Sequence, residues 1–145
     1  MIFPFAIVAY LPGRDGKERE LAQNQIVAIV DDDELVRSSM ASLLRSLGIS
    51  ARTFGSADEY LNADDTHEVG CLVTDIQMPG TSGLQLQRIL AARAAAPPII
   101  MMTAFPTERI RAQAFEAGAL CFIEKPIDEK HLLACLGEVF GGLDD

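Results

Sequence analysis

Five short apolar runs alternate with helical patterns along most of this 145-residue chain. The runs are Ile26–Val30, the weaker Ser50–Phe54, Cys71–Thr74, Ile99–Met102 and Leu120–Ile123. Runs this short and rich in β-branched residues suit strands buried on both faces, as in a parallel sheet. The segments between them read as helices. Leu35, Val36, Met40, Leu43, Leu44 and Leu47 fall at helical spacing, with Gly48 as a stop. Ser56 with Glu59 suggests a capping box opening a short second helix. Leu86, Ile89 and Leu90 mark a third helix, with Pro97–Pro98 expected to end it. Thr107 can cap a fourth, running through Ile110 and Phe115 to Gly118, and Asp128 can cap a fifth, with Leu132, Leu133, Leu136 and Phe140 on its buried face. Five alternations predict an α/β domain with helices on both faces of a five-stranded parallel sheet.

Composition narrows the function. The formal charge is −9, which argues against a basic surface for nucleic acid. No apolar run reaches the roughly 18–20 residues that span a bilayer. Cys71, Cys121 and Cys135 lie in apolar stretches without a C-x-x-C pair. Three buried thiols in a reducing cytoplasm are therefore expected rather than a disulfide. Residues 1–24 stand apart: an apolar start, MIFPFAIVAYL, is followed by a charged stretch. Without a basic leading region or a small-residue cleavage site they read as a tail or extra segment of unknown role. The domain is expected over 25–140, with 141–145 as a C-terminal tail.

In sheets of this kind ligands bind outside the carboxyl ends of the strands. Asp31-Asp32-Asp33-Glu34 follow the first run, Asp75 the third, Thr103-Ala104 the fourth and Glu124-Lys125-Pro126 the fifth. Singly, each has an ordinary explanation: a solvated helix start, a strand-end hydroxyl, a surface charge. Together they would gather carboxylates, a hydroxyl and an ammonium on one rim. Two carboxylates 4 Å apart repel by about 4 kcal/mol at an effective dielectric of 20, so such a cluster calls for a cation. Hard oxygen ligands with open water positions suit Mg²⁺. An Asp beside Mg²⁺ and an ammonium is placed to attack a phosphoryl group.

The motifs IVDDDE (29–34), LVTDIQMPGTSG (72–83), MTA (102–104) and FIEKP (122–126) resemble those of the receiver domain of two-component response regulators. The steps from Asp32 to Asp75, Asp75 to Thr103 and Asp75 to Lys125 are 43, 28 and 50 residues, and they fit the same family. The FIEKP and IVDDDE segments look most like the nitrogen-fixation-type regulators, which carry a C-terminal helix-turn-helix output domain of the LuxR type. The resemblance implies a flavodoxin-like receiver fold with strand order 2-1-3-4-5. It implies Asp75 as phosphoacceptor, and Asp31, Asp32, Asp75 and the Gln77 backbone carbonyl around Mg²⁺, with Asp32 the direct ligand and Asp31 acting through water. Thr103 and Lys125 would engage the phosphoryl group, Thr103 and Phe122 would switch, and Lys125–Pro126 would be cis. Asp33 is expected to cap the first helix, and Gln77 and Phe105 lie at positions that tune phosphoryl lifetime.

The implied function is a phosphorylation switch in the cytoplasm. A sensor histidine kinase donates phosphate, and the face from Thr107 to Phe140 shifts to engage an output domain or target, or to form a phosphorylation-dependent homodimer. Such a domain slowly labels and unlabels itself rather than acting as a metabolic enzyme. No nucleic acid or membrane would be bound directly, and the chain reads as a free-standing receiver or the front half of a two-domain regulator. An acid-nucleophile phosphatase would favour D-x-D on the first strand and a cap domain. A receiver-like binding module that is never phosphorylated would have no use for the intact acidic set.

Overall fold

The computed structural model describes residues 26–141; the expectations for residues 1–24 and for the end of the chain lie outside them. The elements are β1 (Ile26–Val30), α1 (Glu34–Ser46), β2 (Ser50–Phe54), α2 (Ala57–Leu61), a 3₁₀ turn (Thr66–Glu68), β3 (Cys71–Asp75), α3 (Gly83–Ala92), β4 (Ile99–Thr103), α4 (Glu108–Glu116), β5 (Cys121–Glu124) and α5 (Glu129–Phe140). All four strand pairings are parallel, in the order β2-β1-β3-β4-β5.

Successive strand residues point to opposite faces, and here both faces are apolar. Val27, Ile29, Val73, Ile100, Met102 and Ile123 pack with Met40 and Leu44 of α1 and Leu132 and Leu136 of α5. Ala28, Val30, Leu72, Met101 and Phe122 pack on the other side with Tyr60 of α2, Leu86 and Leu90 of α3 and Ala114 of α4. The three central strands therefore read as unbroken apolar runs. β2 reads weakly because it is an edge strand and mostly not buried.

Three local expectations need correction. Leu35 is 78% exposed, not part of the α1 stripe. At 100° per residue it lies about 120° around the helix from the centre of the Val36, Met40, Leu43, Leu44 and Leu47 set. α3 stops at Ala92, well before Pro97, because Ala94 takes a left-handed φ of 54°. At α2, Ser56 accepts from Glu59 N, but the Glu59 carboxylate takes Gly55 N instead of closing the box. The complete capping box is at Ser82 and Gln85, opening α3.

The cysteine expectation is also corrected. Cys121 and Cys135 are joined as a disulfide, and Cys71 alone stays a free thiol among the described residues. Cys121 opens β5 on the face that α5 covers, and Cys135 sits beside Leu136 on that helix. Their Cα atoms are 6.2 Å apart, within the span a disulfide bridges. Fourteen residues separate them in sequence, so only the packing of α5 on β5 brings them together.

Candidate functional site

Parallel strands carry their carboxyl ends to one rim, and the rim holds the residues singled out in the sequence. β1 delivers Asp31, which is fully buried, and Asp32, which is exposed. β3 delivers Asp75, only 6% exposed. One carboxylate oxygen from each of these three lies within 4.8 Å of the others. Lys125 follows β5 and reaches into the group, its Nζ 2.7 Å from Asp31 Oδ2 and 2.9 Å from Asp75 Oδ2. The Lys125–Pro126 bond is cis.

The backbone holds these carboxylates in place. Asp31 Oδ1 accepts from Asp33 N at 2.8 Å, and Asp75 Oδ1 accepts from Gln77 N at 3.2 Å. Asp33 caps α1, its carboxylate accepting from Leu35 N and Val36 N, so it serves the helix and not the cluster. Arg37, one turn into α1, donates to the Asp31 carbonyl at 2.6 Å. Nothing in the sequence marked Arg37, because any basic residue one turn into a helix looks like a solvated charge.

The charges are mutually adjusted. Burial raises the Asp75 pKa above its ordinary value; hydrogen bonding and charge from Lys125 oppose this, Asp31 adds to it, and Gln77 N–H opposes it weakly. Burial pulls the Lys125 pKa down, but its pairing with Asp31 and Asp75 outweighs that, so the ammonium is held more firmly than usual. Asp31 Oδ2, though close to Lys125, has no aligned hydrogen-bond donor and is buried. A buried oxygen with a free lone pair beside two more carboxylates fits a hard divalent cation such as Mg²⁺.

Thr103 ends β4 fully buried. Its hydroxyl accepts from Phe105 N and donates to the side-chain oxygen of Gln77. The sequence singled out Gln77 for its carbonyl; its side chain as partner of Thr103 was not anticipated. Thr103 thus joins the cluster through Gln77, whose own N–H binds Asp75. Phe122 is 5% exposed in the core, 6.5 Å from the Phe115 ring, with the Arg111 guanidinium over both rings. Phe105 is largely exposed. Leu35, Val36, Met40, Lys125, Pro126 and Ile127 border an open apolar groove of about 330 Å³ beside the cluster.

Comparison with known proteins points to one family. The sequence model of the response regulator receiver domain matches residues 27–136. The response regulator protein TmoT of Ectopseudomonas mendocina is 37% identical over 125 residues, covering 86% of this chain and 57% of that protein. The transcriptional regulatory protein FixJ of Azorhizobium caulinodans is 39% identical over 115 residues, 79% of this chain and 54% of its own. The chain thus spans about half the length of the curated relatives it matches. Among solved structures, the crystal structure of FixJ-N superposes with a TM-score of 0.71 at 34% identity, covering 79% of this chain and 91% of that one. Among the described residues no helix is long and apolar enough to cross a membrane.

Proposed function

The chain belongs to the response regulator receiver domain family, and from that premise we propose that Asp75 is its phosphoacceptor, loaded from a phosphohistidine of a sensor histidine kinase. The observation that carries this is the position of Asp75. Its carboxylate sits at the end of a central strand, paired with Lys125 and flanked by Asp31 and Asp32.

In the proposed reaction one Asp75 oxygen attacks phosphorus. A phosphorus–oxygen bond forms, the phosphorus–nitrogen bond to the donor imidazole breaks, and the imidazole leaves with the bonding pair. Lys125 offsets the charge gathered on the phosphoryl oxygens. Asp31, Asp32, Asp75 and the Gln77 carbonyl would hold Mg²⁺, which supplies further neutralisation of those oxygens when bound. The Thr103 hydroxyl gives up its bond to the Gln77 side chain and donates to the phosphoryl group instead. A partner seated in the groove beside Lys125 would bring its phosphohistidine to the same rim.

The new charge biases a two-state element. Thr103 and Lys125 move inward, Phe122 follows, and the face made by α4, β5 and α5 shifts to engage an output domain, a target or a second copy. An acid-nucleophile phosphatase is not favoured, since the family match and the sheet order already account for the chain. The test is labelling by acetyl phosphate with Mg²⁺. Wild type is expected to take up about one phosphoryl group and Asp75→Asn none; equal uptake by both would refute the assignment.

A further inference from the structure

The segment proposed to move is also the one that the disulfide crosses. Cys121 begins β5 and Cys135 lies in the middle of α5, so the closed loop contains Phe122, Lys125, Pro126 and the helix cap Asp128. The two sulfurs are embedded with Ile100, Met102, Leu132 and Leu136 on the face of the sheet that α5 covers. Phe122, the next residue along, points to the opposite face. The cross-link therefore fastens α5 to β5 from one side and leaves the aromatic side of the strand untouched. Cys71 belongs to the same cluster but remains a free thiol.

We propose that Cys121 and Cys135 are a thiol–disulfide modification site whose co-substrate is a small disulfide such as glutathione disulfide. Oxidised, the pair locks α5 onto β5 and restrains the segment between them; reduced, it releases that segment. The functional part of this inference rests on the phosphorylation reading above. Cys135 is 2% exposed and Cys121 8%, so both are buried and exchange waits on local opening of the segment, with Cys121, the less buried residue, taken as the first to react. Its thiolate attacks the sulfur–sulfur bond of glutathione disulfide, forming a mixed disulfide and expelling one glutathione. The Cys135 thiolate then displaces the second glutathione. Two protons and two electrons leave the protein on two glutathione thiols, and an excess of reduced glutathione drives the reverse reaction.

The test equilibrates the full chain in oxidised or reduced glutathione and counts alkylated thiols by mass after unfolding. The expected counts are one after oxidation, from Cys71, and three after reduction. Hydrogen exchange over 121–140 is then followed with and without Mg²⁺ and beryllofluoride. The change on adding beryllofluoride is expected to be at least threefold smaller in the oxidised protein. Cys135→Ala and, independently, Cys121→Ala are expected to respond like the reduced protein in either buffer. Three thiols after oxidation, or equal exchange responses in both forms, would overturn the proposal. Acetyl phosphate labelling in the same samples separates the two readings. Absence of label in both redox states refutes the phosphoacceptor reading, and the thiol count still decides the pairing.

Discussion

Gly83 opens α3 immediately behind the proposed phosphoacceptor, and replacing it with alanine tests how tightly that strand end is built. A Cβ on Gly83 would stand 3.1 Å from Ile76 Cα and 3.2 Å from the Asp75 carbonyl carbon, and closer still to the Asp75 carbonyl oxygen. All three neighbours are backbone, so no side chain can swing aside. Gly83 N also donates to Ile76 O at 2.9 Å, which fixes the helix start against the loop. Overpacking at such a site costs typically 1–3 kcal/mol, and rigid neighbours place this one near about 3 kcal/mol. The helix propensity of alanine over glycine returns up to about 1 kcal/mol. The net loss is about 2 kcal/mol. With an m-value of about 1.5 kcal/mol/M, the urea midpoint should fall by roughly 1.3 M. Any relief must come from moving the Asp75–Ile76 peptide, so acetyl phosphate labelling should slow as well. The comparison variant is Gly80→Ala, where a Cβ meets nothing within 4 Å and only the φ of 80° opposes it. An unchanged midpoint and labelling rate in Gly83→Ala would show that the contact does not constrain the acceptor.

Other outcomes follow from single groups. Burial pushes the Cys71 thiol pKa up to about 12, so native protein at pH 8 should leave it unalkylated by iodoacetamide while urea-unfolded protein reacts fully. Asp33→Ala removes the α1 cap and should lower stability by about 1 kcal/mol in urea titrations, without preventing labelling of Asp75. Because the Asp75 pKa is raised on folding, its protonation contributes stability that is present below the unfolded value near 3.8 and is lost as pH rises through the higher folded value. With EDTA present, the urea midpoint of Asp75→Asn should therefore gain on wild type from about pH 4 to pH 7; a constant gap would contradict the raised pKa.

The parts of this protein visible in its sequence are those whose cause is local. Ile26–Val30 and Ile99–Met102 read as buried strands because both faces of the sheet are covered, and Asp33, Thr107 and Asp128 read as caps because a cap acts within one turn. The acidic residues, Thr103 and Lys125 were legible as strand-end residues because parallel strands send those ends to one rim. What escaped depends on helix azimuth or on three-dimensional approach. Leu35 is apolar yet lies off the buried stripe, and Ala94 stops α3 by a backbone angle that its side chain does not announce. Cys121 meets Cys135 only through the docking of α5, and Gln77 meets Thr103 only through the rim.

The charge count at the rim connects these pieces. Asp31, Asp32 and Asp75 together bear three negative charges when ionised, and Lys125 supplies one positive charge among them. Two negative charges are left over; burial of Asp75 raises its pKa and the charge of Asp31 adds to the rise, despite the ion pair with Lys125. Attaching a phosphoryl group would add more negative charge to the same place. Lys125 is already shared between Asp31 and Asp75, so meeting the new oxygens redistributes its three N–H donors among more acceptors. Thr103 is likewise already donating, to Gln77. Phosphorylation on this scheme is a change of partners at two side chains, each fixed to the end of a different strand. Lys125 lies within the loop that the disulfide closes. Its freedom to change partners is then set in part by whether α5 is bonded to β5, which is how a local charge at Asp75 and a distant pair of sulfurs come to act on the same segment.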